Sequence, residues 1–249
     1  MPLGVVVILM RPPLDWLASV VTVLFMATKL WPALIVISPA VPVPVLTMVR
    51  PRGGGFVYGE AEVEAMVREH VASSPMPIDI LVQPVPTGML DAILVAHDRI
   101  AASRADRIWI TWCDQVAIRP ETLQRLAELS AAHPDTAVIL PTCRRHEPYI
   151  HLARGIHGEI AGILQRREGD AMPAVGESDM GLFSLSLHAY QDDLPRFARL
   201  EVAGAGTGER NFLPFLPWVA VKNPVMSFPC EDAREGIGIN TPDELALVE

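Results

Sequence analysis

Cysteine is scarce: Cys113, Cys143 and Cys230 are the only three in 249 residues. No two stand in a CxxC spacing and their number is odd, which argues against a cysteine zinc knuckle or a disulfide framework; a reducing cytoplasm is the expected compartment. Lysine is scarcer still, with only Lys29 and Lys222, and 29 acidic side chains against 20 basic ones give a formal net charge of −9. A chain without a basic excess is a poor candidate for nucleic-acid binding. Small molecules are the expected partners.

Charge of either sign is nearly missing from residues 1–55, which carry only Arg11, Asp15, Lys29, Arg50 and Arg52, together with eight of the 23 prolines. Two uncharged runs in that segment invite a membrane reading, and neither sustains it. Residues 16–28 fall short of the roughly 20 apolar residues needed to span a bilayer. Residues 30–49 are long enough but contain Pro32, Pro39, Pro42 and Pro44, each of which removes a helical hydrogen bond. A signal peptide is not expected either, because no positively charged start precedes the apolar stretch. Residues 5–9 form a short β-branched run and read as a buried parallel strand.

From Phe56 onward, short apolar runs alternate with segments of helical period, the pattern of βαβ units and a mostly parallel sheet. Residues 60–70 read as a helix, 78–82 as a strand, 90–102 as a helix, 107–112 as a strand and 136–140 as a further strand. Pro120 stands at a first helical position, so the amphipathic stretch 121–132 reads as a helix begun by it. The expected fold is α/β, a Rossmann-like, mostly parallel sheet flanked by helices, in a single domain over residues 1–249.

Ligands of such sheets gather beyond the carboxyl ends of the strands, which singles out three polar residues. Gln83 follows the 78–82 strand and leads into the stiff turn Pro84-Val85-Pro86-Thr87-Gly88. Asp114 follows the 107–112 strand. A carboxylate there is costly to keep charged without a cation or several donors, so Asp114 is either a magnesium ligand or an acceptor for backbone amides of the next turn. Asn240 is either a ligand or a turn residue before the capping box Thr241-Pro242-Asp243-Glu244.

Taken together, these segments resemble the nucleotidyltransferase family, in layout the uridylyltransferase domain of N-acetylglucosamine-1-phosphate uridylyltransferases, with molybdenum-cofactor nucleotidyltransferases as cousins. Gln83 with Gly88 and Met89 is similar to the base-recognition element Q…GT, with methionine where threonine is common. Trp112-Cys113-Asp114 is similar to the family's "GD" metal aspartate, with Cys113 replacing glycine. Residues 157–168 resemble the hairpin carrying an acceptor-contacting glutamate, for which this chain has Gln165. Glu177-Ser178-Asp179-Met180-Gly181 resembles E-x-N-x-G, with Asp179 for asparagine. Residues 207–213 resemble a G-E-x-x-L-x-D segment, and Gly238-Ile239-Asn240-Thr241 resembles the closing V-N-T element. The resemblance implies transfer of a nucleoside monophosphate from a triphosphate to a phosphorylated acceptor such as a sugar 1-phosphate, with pyrophosphate leaving. It also implies Mg2+ held by Asp114 and Asn240, nucleotide contacts from Gln83, Gly88 and Met89, and acceptor contacts from Gln165, Glu177 and Asp179.

One family feature is missing. Where a glycine-rich loop cradles the triphosphate after the first strand, this chain has Met10-Arg11-Pro12-Pro13-Leu14-Asp15-Trp16, and prolines donate no N–H. Lys29 resembles the lysine of the segment that normally follows the loop; its plain alternative is a surface lysine. With G at its free third positions, the coding stretch from Arg11 read two bases later gives Ala-Ala-Ala-Gly-Leu-Ala, close to that loop. Our hypothesis is that part of residues 10–55 is translated out of frame. Gene sequencing that finds no single-base shift restoring the loop refutes it. As written, the chain is expected to be a weak transferase or an impaired nucleotide-binding module.

Overall fold

The computed structural model describes residues 5–10, 34–36, 45–49, 79–83, 87–101, 105, 107–112, 115 and 117–238. Lys29, Asp114 and Asn240, the 60–70 helix and the 241–244 capping box lie outside the described residues.

In chain order the elements are β1 (Val5–Met10), β2 (Leu34–Val36), β3 (Val45–Val49), β4 (Asp79–Gln83), α1 (Met89–Leu94), α2 (His97–Ala101), β5 (Arg107–Trp112) and α3 (Pro120–Ala132). There follow β6 (Val138–His146), β7 (Ile150–Arg154), β8 (Ile160–Gln165), β9 (Val175–Asp179), β10 (Leu182–Ser186), α4 (Leu194–Ala198), α5 (Phe215–Ala220) and β11 (Val225–Pro229). The 107–112 strand is found at its expected bounds and α3 starts on Pro120, its missing N–H falling where a helix has no acceptor for it anyway. The 90–102 helix is instead two short ones: Ala96 N bonds Ile93 O, a tightened turn that separates α1 from α2. Leu90, Ile93, Ala96 and Ile100 still share the buried face.

The expectation of a mostly parallel sheet is corrected. Among the described residues nine strands form one sheet along β11-β6-β10-β5-β1-β3-β2, with β4 on β3 and β9 on β6, and only β3–β4 and β6–β11 pair in parallel. β1–β3, β1–β5, β2–β3, β5–β10, β6–β10 and β6–β9 are antiparallel. The physical reason is that an apolar run records burial on both faces and carries no direction. β5 is buried at all six positions, as a central strand is in a parallel or a mixed sheet. The pairings nevertheless leave β4, β5, β6 and β11 pointing the same way, so their carboxyl ends share one edge of the sheet.

β6 also runs past its expected end at Leu140. Residues 138–139 pair with β10 and residues 142–146 with β9, so Pro141 falls at the changeover, where that side of the ladder asks for no N–H. The core gathers around β5 and β10: Phe183 lies 5.3 Å from Trp112 and 5.2 Å from Phe212, ring centre to ring centre. Such aromatic pairs add about 0.5–1.5 kcal/mol each beyond area burial. Among the described residues no helix is long and apolar enough to cross a membrane.

Candidate active site

The shared carboxyl edge brings together segments that are far apart in sequence. At the end of β5, Trp112 N donates to Gly181 O at 2.9 Å. Gly181 has φ +62°, and a Cβ there would come 2.3 Å from Trp112 Cδ1 and 2.7 Å from Gln115 Cγ. Only glycine fits without displacing one of them. The two residues that flank Cys113-Asp114 in the chain thus both press on the turn that follows Asp179.

Two carboxylates on β9 face opposite electrostatic fates. Asp179 pairs with Thr142 of β6 and accepts from Gly181 N at 2.8 Å, which ties it to the same turn. Burial pushes the Asp179 carboxyl above the ordinary carboxylate range, against the pull of the Gly181 amide and of Arg145. Burial also raises Glu177, but hydrogen bonds from Arg154 and Thr142 outweigh it and hold that carboxyl below its usual value. Arg154 grips Glu177 with two bonds, Nε to Oε2 at 2.9 Å and Nη2 to Oε1 at 2.5 Å, while the same Nη2 reaches Ser227 Oγ at 2.6 Å. Glu177 is therefore engaged as the partner of Arg154, joining β7, β9 and β11. A planar fork of this kind is the arrangement in which arginine holds a carboxylate best.

Gln83 is the last residue of β4, and Gly88 is the N-cap of α1 with φ +125°. A Cβ on Gly88 would lie 2.5 Å from both the N and the O of Arg210. The close approach is sealed on both sides, since Arg210 N donates to Thr87 O at 2.8 Å and Leu90 N donates to Arg210 O at 3.1 Å. The Arg210 side chain reaches Asp91 on α1 and the carbonyl of Ala198. Met89 opens α1 beside this contact, half-buried against the core.

Gln165 ends β8, its backbone N–H donating to Asp170 Oδ2 at 2.7 Å. The next residues, Arg166–Glu168, form a 3-10 turn. Glu168, which sequence reasoning missed, accepts from Gly206 N at 2.8 Å, Thr207 Oγ1 at 2.7 Å and Asn211 Nδ2 at 3.1 Å. Its carboxyl sits below the ordinary range, because those donors outweigh the upward pull of burial. The available signal was the glycine-dense stretch Gly204-Ala205-Gly206-Thr207-Gly208, where the backbone must approach another group closely.

Residues 56–178 match the MobA-like NTP transferase domain family. The match covers just under half of the chain. The Bifunctional protein GlmU of Oleidesulfovibrio alaskensis is 23% identical over 177 residues, 69% of this chain and 37% of the relative, so the chain spans well under half of that protein. The crystal structure of HddC from Yersinia pseudotuberculosis is similar with a TM-score of 0.51 at 14% identity, covering 82% of this chain and 76% of that one. At that identity the likeness is one of fold. The matched segment includes Gln83, Gly88, Met89, Asp114, Gln165 and Glu177, whereas Lys29, Asp179 and Asn240 fall outside it.

For a magnesium ion the relevant donors are oxygens. Among the described residues no group of three histidine, cysteine, aspartate or glutamate side chains is placed to hold a metal. The ligands expected from sequence, Asp114 and Asn240, are not among those residues. At the other end of β5, away from this edge, sequence reasoning also missed Arg107, a structural residue only 6% exposed. It donates to Ser184 Oγ, Ser184 O and Thr136 O at 3.1, 2.9 and 2.8 Å. Burial lowers its pKa to about 10.

Proposed function

We propose that this chain transfers a nucleoside monophosphate from a nucleoside triphosphate to a phosphorylated small molecule, a sugar 1-phosphate being the favoured acceptor class, and releases pyrophosphate. The supporting observation is the meeting of Trp112 and Gln115 with the Asp179–Gly181 turn, which brings the segment flanking Asp114 to the acceptor motif at the carboxyl edge of the sheet.

In this reading the turn at Gly88 and Met89, with Gln83 before it, takes the base and ribose of the nucleotide. Gln165, Glu177 and Asp179 orient the acceptor so that one of its phosphate oxygens lies in line with the α-phosphorus. The bond that forms joins that oxygen to the α-phosphorus, and the bond that breaks releases pyrophosphate. Positioning supplies much of the rate in such a reaction, since the protein is asked for little covalent work. Magnesium, when held by Asp114 and Asn240, supplies charge neutralisation on the phosphates. Lys29 is the cationic side chain assigned to the triphosphate. The cytoplasm, where triphosphates are abundant, is the compartment in which we place the reaction.

A second reading, an impaired nucleotide-binding module, is favoured by one feature: Arg11-Pro12-Pro13 stands where phosphate-binding amides are needed. Pyrophosphate release assayed with four triphosphates against a panel of sugar 1-phosphates separates the two. Transfer predicts release with one pairing and its loss in Asp114→Ala. Binding without release supports the module, and release unchanged in Asp114→Ala refutes the metal assignment.

A further inference from the structure

We propose that Glu168 is a positioning residue for the nucleotide turn, acting through residues 204–211; the inference rests on the reading of Gly88 and Met89 as nucleotide-binding. Glu168 sits on the turn directly after Gln165, the end of the hairpin assigned to the acceptor. One carboxylate takes three donors from a single loop, Gly206 N, Thr207 Oγ1 and Asn211 Nδ2, all within 3.1 Å. A Cβ on Gly204 would stand 2.3 Å from either oxygen of Glu168, and one on Gly206 would stand 2.0 Å from Arg167 O. The loop therefore lies flat on the 3-10 turn, with no side chain between.

Next to Asn211 in the same loop is Arg210, whose backbone N and O bracket Gly88 through Thr87 and Leu90. The connection from Glu168 to Gly88 thus consists of the three hydrogen bonds to its carboxylate and two backbone contacts too tight for a Cβ, Gly206 on Arg167 O and Gly88 on Arg210. A loop held at both ends in this way sets the Gly88 turn in one place. Released at Glu168, it keeps only the Arg210 end, and the turn gains conformations that a bound nucleotide would have to remove. That loss is paid in affinity for the triphosphate and leaves the chemical step of a bound complex unchanged. The loop also joins the acceptor hairpin to the nucleotide turn by a route that avoids the sheet.

Glu168→Ala and Glu168→Gln test this. The glutamine retains an oxygen for Thr207 and Asn211 but has only one acceptor atom, so its effect should fall between wild type and alanine. Two readouts are needed: hydrogen exchange at the amides of Leu90 and Arg210, and calorimetric affinity for ATP, CTP, GTP and UTP with Mg2+. The proposal expects faster exchange at those two amides with α3 and β5 unchanged, and affinity for the bound triphosphate about fivefold weaker or more in Glu168→Ala. Unchanged exchange or unchanged affinity overturns the proposal while the site reading stands. Exchange that quickens throughout the molecule makes Glu168 a structural residue and also overturns it. Wild-type protein that binds none of the four triphosphates overturns the site reading, and the proposal with it.

Discussion

Glu235 Oε2 accepts a 2.6 Å hydrogen bond from Thr122 Oγ1, although 113 residues separate the two in the chain. The same oxygen accepts from Arg119 N at 3.0 Å, so a carboxylate from the 3-10 turn Ala233–Gly236 caps the start of α3. The N-cap residue of α3 is Arg119, whose own side chain makes no capping bond. Glu235 supplies what the local sequence lacks, and as an anion it also suits the positive end of the helix. Glu235→Ala should lower stability by about 2 kcal/mol, the scale of hydrogen bonds to a charged group. Glu235→Gln should cost less. Urea denaturation measures both, and an unchanged midpoint in the alanine variant would contradict the capping role.

Gly88→Ala should cost about 2 kcal/mol or more, because φ +125° is a region alanine rarely adopts and the added Cβ meets the Arg210 backbone. Backbone atoms cannot move aside as a side chain can. Thermal unfolding checks the stability loss, and calorimetry on the same variant should show weaker triphosphate binding.

Asp179→Asn should stabilise the protein at pH 7.5 and have little effect below about pH 4. The Asp179 carboxyl is raised in the folded protein, chiefly by burial, so the folded state holds its proton where the unfolded chain has lost it. Its contribution to stability is fullest below the unfolded pKa and is lost as pH rises through the folded one. Asparagine does not ionise, and its carbonyl oxygen remains available to Gly181 N. Urea midpoints across pH test the sign: a gap that widened toward acid would contradict it.

Cys143 is buried, and burial chiefly raises its pKa to about 11, against the pull of Arg145. At pH 8 on the order of one such thiol in a thousand is ionised, and the thiolate is the reactive form. Iodoacetamide should therefore leave Cys143 unlabelled in native protein and label it in urea, as peptide mass spectrometry would show. Fast native labelling would contradict the placement of β6.

The sequence was most informative where local chemistry and tertiary packing agree. β5 announces itself as Ile108-Trp109-Ile110 because those residues are buried on both faces, and α3 because Pro120 fixes its start. Strand direction was illegible for the same reason β5 was legible: an apolar run buried on both faces looks alike in parallel and antiparallel company. The break between α1 and α2 leaves the buried spacing of Ile93, Ala96 and Ile100 intact, so periodicity runs through it. Within the candidate site, Gln83, Gly88 and Asp179 could be named from motif spacing, since each sits at a strand end or a special turn. Glu168 could not, and neither could Arg107 and Glu235 elsewhere in the fold. Each is a charged residue whose donors or acceptors come from another part of the chain, and nothing local distinguishes such a residue from a solvated one.

The central claim is group transfer at the carboxyl edge of the sheet, and 31P NMR of the complete reaction tests it most directly. With the triphosphate that binds, a sugar 1-phosphate and Mg2+, the account predicts a slow rise of inorganic pyrophosphate together with new P–O–P resonances linking the α-phosphorus to the acceptor phosphate, and neither in Asp114→Ala. Conversion of the triphosphate to diphosphate and inorganic phosphate, with no acceptor-linked resonance, would contradict it.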